Sequence, residues 1–219
     1  SKNGNLKITD DGYVQVAELT MPSDKTNHLP ASELRISLYK DQPYVDMEIT
    51  IQDKVKDNWP EADWLCLPFR IDHPEFNVYR QLGTMNPATD ILPGANRHLY
   101  AAEHGVTITG TDGAGIAVCP LDHPLISLGT PGCWKYSNDY VPEKPIVYLN
   151  LYNNQWNTNF RYWYPGTWSS RVRIWTVEKG TTPEERTRQF MVRALETRNP
   201  LQAVSVEKNE GILSSTQSG

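Results

Sequence analysis

The sequence predicts an all-β protein, a large antiparallel β-sandwich with one late α-helix. Short runs that alternate apolar and polar residues recur along most of the 219-residue chain, and glycine, proline, asparagine and aspartate punctuate them at close intervals. One stretch near the end, residues 183–198, instead has helical spacing with a start and a stop signal. Strands do not alternate with helical segments and no repeat of fixed period occurs, which argues against a parallel α/β sheet or a solenoid.

Taken in order, residues 1–27 read as an N-terminal strand, Tyr13-Val14-Gln15-Val16, and a polar loop. Residues 33–39 place Leu34, Ile36 and Leu38 on one face. Asp41-Gln42-Pro43 turns the chain, and residues 44–53 place Val45, Met47, Ile49 and Ile51 on one face. Two such runs joined by a short turn predict a hairpin with one dry and one wet face. After a loop at 54–60, residues 64–70 form a nearly continuous apolar strand suited to a sandwich interior.

His73-Pro74, Asn86-Pro87 and Leu92-Pro93-Gly94 predict irregular backbone, because proline removes a ladder donor. Short strands are expected over 96–103 and 106–109, around a tight turn at His104-Gly105. Residues 111–115 read as a hairpin turn into strand 116–120, and Leu121-Asp122-His123-Pro124 leads into strand 125–128. Residues 148–152 alternate again and run into a polar, aromatic-rich stretch that ends at Tyr164. Residues 169–177 set Val172, Ile174 and Thr176 against Arg171, Arg173 and Trp175. The helix then begins with Thr182 as N-cap, Pro183 at its first position and Glu185 completing a capping box. It carries Phe190, Met191, Ala194 and Leu195 and stops before Asn199-Pro200, since the residue before proline is pushed out of the α region. Residues 28–200 are therefore expected to form the sandwich. Residues 201–219 read as a linker or the truncated start of a further β-segment.

Composition narrows the function. A net charge of −5 argues against nucleic acid as a partner, because phosphate contacts need a basic face. No apolar run reaches the length of a membrane-spanning helix. The start at Ser1-Lys2-Asn3-Gly4, without methionine, suggests a processed or excised piece. Cys66, Cys119 and Cys133 have no paired spacing, so one disulfide is open and a metal site is not supported. His28, His73, His98, His104 and His123 lack a zinc-ligand spacing.

A glycosidase needs two carboxylates facing across a cleft. Asp90, Asp112, Asp122 and Asp139 lie in turns and Asp46 and Glu48 on a strand's polar face, but nothing in their spacing selects a pair. Aspartates in turns commonly accept from their own backbone. Nucleophile-elbow and phosphate-binding glycine signatures are absent, so no catalytic residue is assigned. What stands out is the run 148–164. Its asparagines both donate and accept hydrogen bonds, and its aromatic rings can stack on sugars. Asn153, Asn154, Trp156, Asn157, Asn159 and Arg161 are the carbohydrate-facing candidates. The other reading of the run is a strand end with core aromatics and turn asparagines.

Five motifs follow one another in a specific order: Trp59-Pro60-Glu61-Ala62, Leu67-Pro68-Phe69, Pro93-Gly94-Ala95-Asn96-Arg97, Asp122-His123-Pro124-Leu125, and Asn153-Asn154-Gln155-Trp156-Asn157-Thr158-Asn159-Phe160. In that order they resemble the C-terminal β-rich region of bacterial proteins related to glycoside hydrolase family 38, which are α-mannosidase-type enzymes. Residues 213–219 resemble the start of that family's next β-segment.

The resemblance implies a supersandwich of the galactose mutarotase-like kind. It would pack on an upstream catalytic domain and line that domain's sugar site, with Asn96 and Arg97 joining the interface candidates. Zinc, nucleophile and acid would belong to the missing domain, and the chain alone would be inactive. The parent would be secreted or periplasmic. The family's Asp-Arg-Gly-type segment is not reproduced here, since the aligned stretch has no arginine before Arg161.

A second reading is a stand-alone sugar-converting protein of mutarotase or epimerase type. It needs a histidine and a carboxylate meeting in a cleft, with His98, His123 and Asp122 as suppliers. A lectin-like binding module is a third.

Overall fold

The computed structural model describes residues 4–56, 60–133, 136–154, 165–202 and 205. The first strands are β1 (Asn5–Asp10), β2 (Val14–Met21), β3 (Ala31–Tyr39), β4 (Tyr44–Lys54) and β5 (Ala62–Pro68). Then come β6 (Glu75–Arg80), β7 (Gly83–Met85), β8 (Tyr100–Ala101), β9 (Gly105–Thr109) and β10 (Gly115–Pro120). The last are β11 (Leu125–Leu128), β12 (Ile146–Asn153) and β13 (Gly166–Val177), followed by the helix α1 (Pro183–Arg198). They form a nine-stranded sheet in the order β1-β2-β3-β4-β13-β10-β9-β6-β7 and a four-stranded sheet in the order β5-β12-β11-β8. Every pairing is antiparallel.

Strand alternation builds the core. Ile49 and Ile51 of β4, Val172 of β13, Val118 of β10, Val106 and Ile108 of β9, and Phe76 and Val78 of β6 belong to one buried cluster. The smaller sheet contributes Leu65, Leu67, Ile126, Leu128, Val147, Leu149 and Leu151 to it. Each such side chain contributes about 1.5–3 kcal/mol through burial. The expected fold class, an antiparallel sandwich with one late helix, is what the structure shows.

Helix α1 covers part of the other face of the larger sheet. Phe190 stacks on Tyr79 with ring centroids 3.8 Å apart and lies 5.4 Å from Trp175. Ala117, Cys119 and Ala194 complete this second cluster. Gly105 makes the close approach possible, since a Cβ there would lie 2.2 Å from the Val118 carbonyl oxygen and 3.0 Å from Phe190 Cζ. The Thr182 hydroxyl accepts from the Glu185 N–H at 3.2 Å, as an N-cap should. The reciprocal half of the capping box is not made, because the Glu185 carboxylate accepts from Arg188 (2.7 and 2.9 Å) and Gln189 (2.8 Å).

Several local expectations change. The N-terminal part holds two strands instead of one, and both continue the larger sheet through β3. The proline-punctuated stretch carries β6 and β7, because its prolines fall in the connections and leave residues 75–80 free to pair with β9. β8 and β9 do not flank a hairpin turn. They belong to different sheets, and the chain crosses between them at residues 102–104, where Ala102 N–H donates to the Pro124 carbonyl and His104 N–H to the Tyr79 carbonyl. Trp175, expected on a wet face, is 5% exposed because α1 lies over it. The three cysteines are free, Cys66 exposed on the surface and the other two buried. Among the described residues, no helix is long and apolar enough to cross a membrane.

Candidate functional site

The end of the sandwich where β12 runs out and β5 begins opens into a cleft of about 390 Å³. Its lining includes Lys54 from the end of β4, Glu61 just before β5, His123 just before β11, Tyr152, Asn153 and Asn154 from the end of β12, and Trp168 from β13.

Lys54 and Glu61 form an ion pair with side chains only 8% and 13% exposed. The ammonium also lies 4.9 Å from the centroid of the Tyr152 ring. Tyr152 in turn meets Trp168 edge-to-face, with centroids 5.6 Å apart at 89°. Burial, the nearby Asp63 and Glu61 charges and a hydrogen bond to Asp63 all raise the Tyr152 phenol's pKa, so it stays protonated.

The amides hold the wall. The register of β12 against β5 shifts between Asn150 and Tyr152. The Asn150 amide occupies that irregularity, donating to the carbonyls of Asp63 (3.3 Å) and Tyr152 (3.2 Å) and accepting from Asn153 Nδ2 at 2.7 Å. Asn154 Oδ1 accepts from the Glu61 N–H at 2.6 Å, and Asn154 N–H donates to the Glu61 carbonyl at 2.9 Å. Asn154 thus positions Glu61 as well as lining the cleft.

The residues expected for a sugar-converting site do not all meet in the cleft. His98 is 5% exposed, stacks on Tyr140 at 4.4 Å and bonds through Nε2 to Ser137 Oγ at 3.0 Å. The Asp122 carboxylate accepts from Arg171 Nη2 (2.8 Å), Nε (3.0 Å) and backbone N–H (2.8 Å), and Arg171 holds its pKa below the usual carboxylate value. Of the three, only His123 lines the cleft. Burial lowers its pKa against the opposing pull of Asp122.

Asn96 and Arg97 lie in the loop before β8, at the edge of the smaller sheet opposite β5, and do not line this cleft. Asn96 Oδ1 accepts from the N–H groups of His98 (2.7 Å) and Leu99 (3.1 Å), which caps the turn. Arg97 Nη2 donates to the Ile91 carbonyl at 3.2 Å, and its own carbonyl accepts from the Tyr100 hydroxyl. Trp156, Asn157, Asn159 and Arg161 lie outside the described residues. Sequence reasoning missed Lys54, Trp168 and the role of Glu61. Only Glu61 had a signal, through its place in Trp59-Pro60-Glu61-Ala62. Among the described residues, no group of three or more histidine, cysteine, aspartate or glutamate side chains could hold a metal ion.

Chemically, the cleft offers a cation and an anion side by side, a protonated phenol, an uncharged imidazole and an indole. No family model and no curated protein matches the chain. Among solved structures, it is similar to the protein HI1317 at 13% identity and a TM-score of 0.45, over 79% of this chain and 64% of that one. It is also similar to a candidate aldose 1-epimerase from Escherichia coli at 8% identity and a TM-score of 0.42, over 80% of this chain and 69% of that one. The chain thus spans less than two thirds of the length of the first. These likenesses are too distant to argue for a site or an activity, and no family 38 mannosidase appears among these matches.

Proposed function

We propose that this chain is a carbohydrate-binding β-sandwich whose sugar site is the cleft at the end of β12. The observation that supports it is the Lys54–Glu61 pair beside the Tyr152 and Trp168 rings. A sugar presents hydroxyls that both donate and accept, and an ammonium next to a carboxylate meets adjacent hydroxyls with one donor and one acceptor. The pair adds no net charge, which suits a neutral ligand, and aromatic surface takes the apolar side of a sugar ring. Titrating neutral mono- and oligosaccharides should change the tryptophan fluorescence saturably, and Trp168→Ala should remove the change. A flat titration across the common hexoses and their oligomers would overturn the proposal.

The finer reading rests on the motif order in the sequence. In it the sandwich is the non-catalytic part of a larger family 38-like, α-mannosidase-type hydrolase and lends this cleft to the catalytic domain's sugar site, with any zinc residing in that domain. A second reading draws on a specific observation. His123 and Glu61 line one cleft, so an uncharged base and a carboxylate share a site, as anomer interconversion requires. That pairing replaces the expected trio of His98, His123 and Asp122. Polarimetry on a freshly dissolved α-anomer decides. Acceleration over buffer that disappears in His123→Ala establishes conversion, whereas sugar binding without acceleration overturns it.

A further inference from the structure

By simple alternation, β4 would turn Asp53 inward and Lys54 outward. Ile49 and Ile51 face the core, and successive side chains point to opposite faces, so the inward positions fall on odd numbers. The opposite is found, with Asp53 exposed and Lys54 only 9% exposed. The register against β13 gives the cause. Ile51 pairs with Trp168 and Lys54 with Gly166, so Gln52 and Asp53 together oppose Thr167 alone. This is a β-bulge, and it shifts the strand's phase by one residue.

The bulge depends on Asp53 at φ 46°, a left-handed conformation that aspartate tolerates better than most residues. Thr167 holds it from the neighbouring strand. Its hydroxyl accepts from the Asp53 N–H at 2.9 Å and donates to the Asp53 carboxylate at 3.2 Å. An outward lysine would be the undemanding arrangement, because a buried ammonium must be paired. Here the inward turn delivers Lys54 to Glu61 and to the Tyr152 ring.

We propose that Asp53 and Thr167 are positioning residues, whose paired hydrogen bonds hold the bulge that turns the Lys54 ammonium into the cleft. Resting on the carbohydrate reading above, the consequence is that this latch sets affinity for a neutral, hydroxyl-rich ligand without touching it.

The test is lysine acylation by a water-soluble active ester, mapped by peptide mass, on the whole chain. Thr167→Val should speed labelling of Lys54 by about fivefold or more, the factor expected from losing both hydrogen bonds to Asp53, while exposed Lys40 labels as before. Thr167→Ser should restore the slow rate, and Asp53→Gly, which keeps the left-handed backbone but loses the carboxylate, should raise it. The dissociation constant for the sugar should rise alongside the labelling rate. Unchanged Lys54 labelling in both Thr167→Val and Asp53→Gly overturns the positioning role, as does a rise accompanied by faster amide exchange throughout β9 and β10. Faster Lys54 labelling with unchanged sugar affinity upholds the positioning and overturns the part given to Lys54 in sugar binding.

Discussion

An uncharged imidazole next to a carboxylate needs a physical reason, and at His123 the reason is burial. Removing the ring from water penalises its charged form more than Asp122 favours it, and the Asp122 carboxylate is already engaged by Arg171. The folded pKa therefore lies below the ordinary 6.5, so as pH falls the unfolded chain takes up this proton first. The stability linked to His123 is complete above 6.5 and is lost as pH drops from there through the folded value. Urea midpoints should accordingly fall as pH is lowered below about 6.5, and His123→Gln should flatten that part of the profile. An unchanged slope in the variant would remove His123 as its source. Asp122 acts lower, since its pKa is depressed by Arg171, and the stability it contributes is lost below about 3.8.

At the scale of elements, α1 shows which signals are local. Thr182, Pro183 and Asn199-Pro200 mark its ends in the sequence because capping and proline geometry involve only neighbouring residues. The surface it covers is not local. Trp175 reads as an outward residue of β13 until Phe190 is laid across it. Phe190→Ala should cost about 3–5 kcal/mol, because it empties the space between Tyr79 and Trp175. Thr182→Ala should cost only about 1 kcal/mol. Denaturant unfolding of both variants checks the ratio, and equal losses would mean that the helix end holds the cluster as much as the ring does. The end of β12 divides in the same way. Alternation over residues 148–152 reveals a strand, but whether Asn154 meets solvent or braces Glu61 depends on a partner some ninety positions away.

Across the whole molecule the two sheets are unequal, and among the described residues the β1–β2–β3 side of the larger one has little above it. Leu6 and Ile8 of β1 are 59% and 69% exposed, while Val106, Ile108 and Val118 of β9 and β10 are fully buried. Amides of β1 should therefore exchange through local opening, and those of β9 and β10 only through global unfolding. Native-state hydrogen exchange across a denaturant series tests this, and equal protection of the two regions would show that β1 is covered in solution.

The sequence alone determined the strand-rich class, most strand positions from residue 33 onward, helix α1 and its N-cap, because these depend on periodicity and on residues a few places apart. Tertiary structure decided the rest. It split β8 from β9, recruited residues 75–85 into the larger sheet, and left His98 and Asp122 outside the cleft that His123 lines. It also reversed Asp53 and Lys54 at a bulge that alternation does not reveal. The physical reason is that a side chain's environment is set by the strand paired to it. Thr167 lies more than a hundred residues beyond Asp53, so the interaction that aims Lys54 exists only once β13 lies against β4.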